Sequence, residues 1–296
     1  MILLDIAAGD APAQELLPAV LEGLDVIEAP QSFGFILEEP LSLPRYRGKH
    51  DVTAIAAPTS IGMDEEPLKA IRSKRETPLT VGLSMLKRGE ANAFVSSGNT
   101  GALLATAVHI LGLEQGVRRP GLLARLPTSQ SDVALIDVGA TLVCCPDHLL
   151  SFAKLGIAYR RQRGLERARV GLLNIGAERY KGKAELIEAH DRLQKEFGEA
   201  FIGNIEPRDL FKGGCDVVVT DGFTGNMLLK TAEGMAAHLH DHLTRNLVPL
   251  GEIAEALDYT SRPGALLAGV RGKVMKCHGA ADAKTVLSAI SGVLEN

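Results

Sequence analysis

Three glycine-bearing stretches carry the side chains best suited to holding an anion. They are Ser97-Gly98-Asn99-Thr100-Gly101, Gly176-Ala177-Glu178-Arg179-Tyr180-Lys181-Gly182-Lys183 and Asp221-Gly222-Phe223-Thr224-Gly225-Asn226. Glycine lets backbone N–H groups come close to a ligand, and a helix N-terminus adds unpaired donors and a partial positive charge. A phosphate held in this way needs no cluster of arginines. Lys181, next to Gly182, can set an ammonium beside such an anion; its plain alternative is a solvated lysine. Asp221 and Asn226 bracket the last stretch, where an amide either donates to an oxyanion or caps a helix expected to begin near Met227. Taken singly, every Ser, Asn, Thr or Asp in these loops also reads as a helix cap.

Other chemistries lose their support. The chain has no GxxxxGK[ST], no GxGxxG after its first strand and no GxSxG, which removes the main signals for ATP, a dinucleotide or a serine nucleophile. Of His238, His240 and His242, only the first and last share a helix face, so the group reads as a solvated surface and no metal is expected. Cys144-Cys145 before Pro146 reads as packing, since adjacent cysteines bridge poorly.

The elements that must position these loops are apolar runs directly before them. Ala93-Phe94-Val95-Ser96, residues 133–137, residues 170–174 and Asp216-Val217-Val218-Val219-Thr220 are unbroken aliphatic stretches of the kind buried on both faces of a parallel sheet. Alternation with helices predicts a sheet between helical layers, with the loops opening at one edge. Residues 273–277 entering His278-Gly279-Ala280-Ala281-Asp282 repeat the device. Residues 2–6 and 52–57 read as further strands, and Ala7-Ala8-Gly9-Asp10-Ala11-Pro12 as a turn. Helices are expected from Glu66-Pro67, over 80–88, over 227–247 and over 252–257. Residues 30–50, rich in proline and charge, read as the least regular part. No linker divides the chain, so one domain over 1–296, or two close-knit subdomains, is expected.

Composition agrees with a soluble protein. The 296 residues are 46% hydrophobic and 4% aromatic, lack tryptophan and carry a formal net charge of -4. The core is therefore expected to be aliphatic, and nothing resembles the basic footprint of a nucleic-acid binder. The four cysteines, Cys144, Cys145, Cys215 and Cys277, form neither a CxxC pair nor a disulfide framework, as in a reducing compartment. Met1-Ile2-Leu3-Leu4-Asp5 lacks the basic start of a signal peptide, and no apolar run reaches the roughly 18 residues of a membrane span. A cytoplasmic protein is expected, with peripheral membrane contact left open.

Several motifs together resemble the PlsX-type phosphate acyltransferases. They are Met63-Asp64-Glu65-Glu66-Pro67 with Arg72-Ser73-Lys74, Val95-Ser96-Ser97-Gly98-Asn99-Thr100-Gly101-Ala102-Leu103, Gly171-Leu172-Leu173-Asn174-Ile175-Gly176 with Lys181-Gly182, Gly203-Asn204-Ile205-Glu206, and Asp221-Gly222-Phe223-Thr224-Gly225-Asn226 with Leu229-Lys230-Thr231. They are collinear with that family from about residue 50 onward. The resemblance implies a three-layer α/β/α sandwich like the isocitrate and isopropylmalate dehydrogenases, and a homodimer for which the helical excursion around 227–260 serves. It also implies conversion of a fatty acyl thioester on acyl carrier protein, with inorganic phosphate, into acyl phosphate for phospholipid synthesis. No cofactor is implied; transient contact with a membrane or a glycerol-phosphate acyltransferase is compatible with it.

On this reading Lys181, Asn226 and Asp221 are the catalytic candidates. Lys181 and residues 97–100 hold phosphate, Asn226 faces the oxyanion, and Asp221 orients Lys181 or a water. Ser96, Ser97, Gly98, Asn99, Thr100, Asn174, Gly222, Thr224, Gly225 and His278 are the expected binding residues. Three features depart from the family. The first loop lacks its histidine, Thr141-Leu142-Val143-Cys144 stands for Asn-x-Asp-Cys, and residues 243–264 are short for an amphipathic pair, with Leu247-Val248-Pro249-Leu250 a small patch. Two alternatives follow: a PlsX-like acetyl-phosphate-forming subunit of a glycine reductase-type complex, and a non-catalytic paralogue that binds acyl carrier protein. The basic run Arg160, Arg161 and Arg163 is a candidate contact for that acidic carrier.

Overall fold

The computed structural model describes residues 1–6, 12–38, 42–59, 76–247, 251, 254, 257–258, 262–277 and 282–295. Several sequence expectations fall outside them: the turn over 7–11, the motif over 63–74 with the helix expected from Glu66-Pro67, the patch at 248–250, most of the helix expected over 252–257, and His278. The chain divides into two compact units, one of Met1–Gln115 with Thr260–Asn296 and one of Gly116–Tyr259.

The first unit contains β1 (Ile2–Asp5), α1 (Ala13–Gly23), β2 (Ser32–Leu37), β3 (Asp51–Ala56), α2 (Pro78–Lys87), β4 (Ala93–Ser96) and α3 (Thr100–Ile110). Its sheet runs β3-β2-β1-β4 and then takes in two later strands, named below. Strand residues alternate between two helical layers, as the two-residue period of a strand requires. Leu4, Phe33, Phe35, Val95 and Met275 pack with Leu17 and Val20 of α1. On the other face Gly82 of α2 lies so close that a β-carbon there would come within 2.3 Å of Phe94. Thr77 and Thr80 form a reciprocal cap with Pro78 in the first turn, which starts α2.

The second unit contains β5 (Gly121–Leu126), β6 (Val133–Ile136), α4 (Pro146–Gln162), β7 (Val170–Leu173), α5 (Ala184–Phe197), β8 (Phe201–Ile205), α6 (Pro207–Leu210), β9 (Val217–Val219) and α7 (Gly222–Arg245). Its strand order is β5-β6-β9-β7-β8, parallel throughout except that β5 is antiparallel to β6. Helices α4 and α5 pack together over β6, β9 and β8, and α7 packs against β5 and β6. The chain then returns to the first unit as β10 (Ala265–Ala268), β11 (Lys273–Lys276) and α8 (Ala283–Leu294). There β11 pairs parallel to β4, and β10 antiparallel to β11. Both units are thus mostly parallel sheets flanked by helices, the α/β architecture expected from the alternating pattern.

Two expectations are corrected. Residues 30–50 contain β2, whose residues 33–37 are buried. Proline and charge on either side mask the apolar run Phe33-Gly34-Phe35-Ile36-Leu37. Helix α7 starts at Gly222, not near Met227, and its N-cap is Asp221 rather than Asn226. Two glycines make that turn look like loop on propensity alone, but the packing described next demands them.

Candidate active site

In the second unit the loop after β6 is built on Asp137, whose side chain is wholly buried. Its Oδ1 accepts from the N–H groups of Leu122, Gly139 and Ala140 at 2.9, 3.1 and 2.9 Å, and its Oδ2 from Thr141 at 2.6 Å. Burial pushes this carboxyl above its ordinary range, against the downward pull of those four donors. The first turn of α7 sits on this loop, with Gly222 N–H donating to the Thr141 carbonyl at 2.8 Å. A β-carbon on Gly222 would fall 2.7 Å from Asp137 Oδ2, and one on Gly225 would fall 1.9 Å from the Asp137 carbonyl oxygen. Hence Gly222 and Gly225 act as close-packing residues. Thr141 grips both neighbours through its backbone.

Asp221 caps α7: Thr224 N–H donates to its Oδ1 at 2.8 Å and Thr224 Oγ1 to its Oδ2 at 2.9 Å. Asn226 is exposed on the same turn. After β7, Asn174 is buried. Its Oδ1 accepts from Ile175 N–H at 2.8 Å, and its Nδ2 donates to the Lys181 carbonyl at 2.9 Å. Asn204, brought inward beside a bulge in β8 at Gly203 with φ +89, donates from Nδ2 to the Glu178 carbonyl at 2.8 Å. Two carboxamides therefore hold the lysine-bearing loop. The Lys181 ammonium is half exposed and 3.9 Å from Glu178 Oε1.

Beside these loops opens a cavity of ≈ 970 Å³. Leu142, Leu173, Ile175, Leu186, Phe223 and Met227 give it an apolar wall, and Asn174, Lys183, Asp221 and Thr224 place polar groups on it. It therefore brings together three sequence-predicted residues, Asn174, Asp221 and Thr224; Lys181, Asn226, Gly222 and Gly225 are not in its wall. The wall's lysine is Lys183, one residue past the Lys-Gly pair that spacing singled out. Cys144 also lines the cavity, and burial, with the charges of Asp137 and Asp221, pushes its thiol up to about 12. Arg160 and Arg161 lie in the last turn of α4, whereas Leu149 in its first turn lines the cavity. At the rise of an α-helix the two ends of that stretch are roughly 16 Å apart, which removes the basic run from the cavity.

In the first unit a second polar set gathers at the carboxyl ends of β1, β4 and β11. Asp5 and Lys276 each pair in register with Ser96 from the strands on either side, so the three side chains lie in one row on one face. Ser96 Oγ donates to Asp5 Oδ2 at 2.7 Å, Ser97 Oγ to the Asp5 carbonyl at 3.2 Å, and Gly98 N–H to Ser96 Oγ at 3.1 Å. Asn99 caps α3 by accepting from Ala102 N–H at 3.0 Å. Lys276 Nζ donates to the Ser97 carbonyl at 3.2 Å and also to the Cys277 carbonyl. Thus Ser96, Ser97, Gly98 and Asn99 do come together, with Thr100 starting α3. Sequence reasoning missed Lys276; its signal was a lysine ending an otherwise apolar strand.

The comparisons with known proteins agree with this architecture. The chain is 41% identical over 254 residues to the phosphate acyltransferase of Chlamydia caviae, covering 86% of this chain and 79% of that one. Its fold is similar to a branched-chain phosphotransacylase from Enterococcus faecalis V583, with TM-score 0.66 at 14% identity over 100% of this chain and 98% of the other. It is also similar to 4-hydroxythreonine-4-phosphate dehydrogenase from Klebsiella pneumoniae, with TM-score 0.54 at 12% identity over 99% and 98%. At such identities these two likenesses concern fold alone. The model of the fatty acid synthesis protein family matches residues 37–295, and the chain belongs to that family.

Proposed function

We propose that this protein is a phosphate acyltransferase that joins a fatty acyl group, delivered as a thioester on acyl carrier protein, to inorganic phosphate. Family membership supports the reaction type, and the observation that carries the substrate class is the apolar cavity of ≈ 970 Å³ beside the glycine loops. That volume lies at the upper end of small-molecule sites and is larger than an acetyl group fills, which favours a fatty acyl chain over the acetyl-phosphate reading.

Phosphate is already an anionic nucleophile, so the protein needs to align rather than activate it. A phosphate oxygen attacks the thioester carbon, the C–S bond breaks, and the thiolate leaves and takes a proton from solvent. In the first unit residues 97–100 are the proposed phosphate-holding loop; in the second, Lys181 is the proposed source of positive charge and Asn226 the proposed hydrogen-bond donor to substrate. Asp221, with both oxygens bonded to Thr224, acts by fixing the first turn of α7. Met235 and Leu239, exposed four residues apart on α7 beyond the cavity wall, support its role in pairing with a second copy, which light scattering checks.

The deciding experiment incubates the protein with phosphate and acyl carrier protein loaded with chains of different length. Acyl phosphate is expected, with specificity for the donor improving about fourfold per added methylene, since each buried methylene contributes about 0.8 kcal/mol. Lys181→Ala and Asn226→Ala are each expected to lower kcat by about 10²–10³. Binding of the carrier with no product at any length would instead identify a non-catalytic paralogue.

A further inference from the structure

Of the 32 lysines and arginines in the chain, Lys276 alone is buried among the described residues. A buried ammonium is costly unless its surroundings use it. Among its partners is one peptide group. The Ser97 carbonyl accepts from Lys276 Nζ, while the N–H on the other side of that same peptide, from Gly98, donates to Ser96 Oγ. Ser96 Oγ is in turn committed to Asp5. The Ser97–Gly98 peptide is thereby pinned on both edges, directly before the cap of α3. Lys276 also holds the Cys277 carbonyl, which ties the end of β11 to the same point. Cys277 is itself buried and offers no competing chemistry.

We propose that Lys276 is the positioning residue for anion binding by residues 97–100. Its ammonium fixes the Ser97–Gly98 peptide and supplies a buried positive charge that solvent screens poorly. This rests on the reading that phosphate is a substrate and that this loop receives it. Lys276 acts through the loop, and its charge as well as its length matters: methionine preserves the length without the charge, and arginine preserves the charge.

The test compares wild-type protein with Lys276→Met and Lys276→Arg in steady-state kinetics, after thermal melts confirm folding. Lys276→Met is expected to raise the KM for phosphate at least tenfold while the KM for the acyl donor stays within twofold, and Lys276→Arg is expected to recover most of the loss. A folded Lys276→Met protein with unchanged phosphate KM, or equal losses for both substrates, overturns the proposal. Should Lys276→Met fail to fold, amide NMR of the wild-type protein titrated with inorganic phosphate decides. Shifts at Ser97, Gly98 and Cys277 are expected, and phosphate binding that leaves those signals unmoved overturns the proposal. The titration needs no turnover, so shifts there without acyl phosphate formation would refute the reaction and leave the loop assignment standing.

Discussion

Gly225 occupies a place where any other side chain collides with backbone, 1.9 Å from the Asp137 carbonyl oxygen. Gly225→Ala is therefore expected to destabilise the protein by about 3 kcal/mol, read as a lowered denaturation midpoint with an unchanged urea slope. The neighbouring Asp137 holds four backbone N–H groups, and truncation strands them in the interior. Asp137→Ala should cost at least about 3 kcal/mol; a variant melting with the wild type would show that water replaces the carboxylate. These residues were visible in sequence only as types. That an acid ends a strand and that glycines follow Asp221 is plain from the chain, but that one set rests on the other is a fact of contact.

Among elements, the pairing of β7 with β9 is secured at its start by Arg169 and Asp216. The Arg169 backbone N–H donates to Asp216 Oδ2 at 2.7 Å, and its guanidinium reaches the same carboxylate at 3.0 and 3.2 Å. Burial pushes the Asp216 carboxyl up, but the bonds and charge of Arg169 outweigh it and hold the carboxyl below its ordinary 3.8. A folded value below the unfolded one means stability that is full above 3.8 and lost as pH falls toward the folded value. Asp216→Asn is expected to lower stability by about 1.5 kcal/mol near neutrality and to flatten that acid limb in melts taken from pH 6 downward. An unaltered acid limb would assign it to other carboxylates. The cavity wall also belongs to this scale: Leu186→Trp, which fills space between α5 and α7, should raise the KM for long acyl chains at least tenfold and spare short ones.

Over the whole molecule the thiols give a simple check. Cys144, Cys215 and Cys277 are buried and Cys145 exposed, and burial pushes the first three thiols up to about 12. Thiolate is the reactive form, so a chromogenic disulfide reagent at pH 7.5 should react rapidly with one thiol in the native protein and with all four after denaturation. Rapid reaction of three or more would contradict the burial. Among the described residues no helix is long and apolar enough to cross a membrane.

The alternation of aliphatic runs with glycine loops determined the α/β class, and collinear motifs determined the family, because both are written in neighbouring residues. The cap at Asn99 was legible for the same reason. β2 was not, since flanking proline and charge masked a short apolar run, and neither was the true start of α7, where packing overrides the low helix propensity of glycine. Only the tertiary structure decided that Lys183 rather than Lys181 lines the cavity, that Asn204 reaches back to Glu178 across a bulge, and that Lys276 holds the Ser97 carbonyl. The bond from Ser96 to Asp5 spans 91 positions and that from Lys276 to Ser97 spans 179. Contacts at such separations arise when parallel strands are brought side by side, and no local spacing encodes which strands those are.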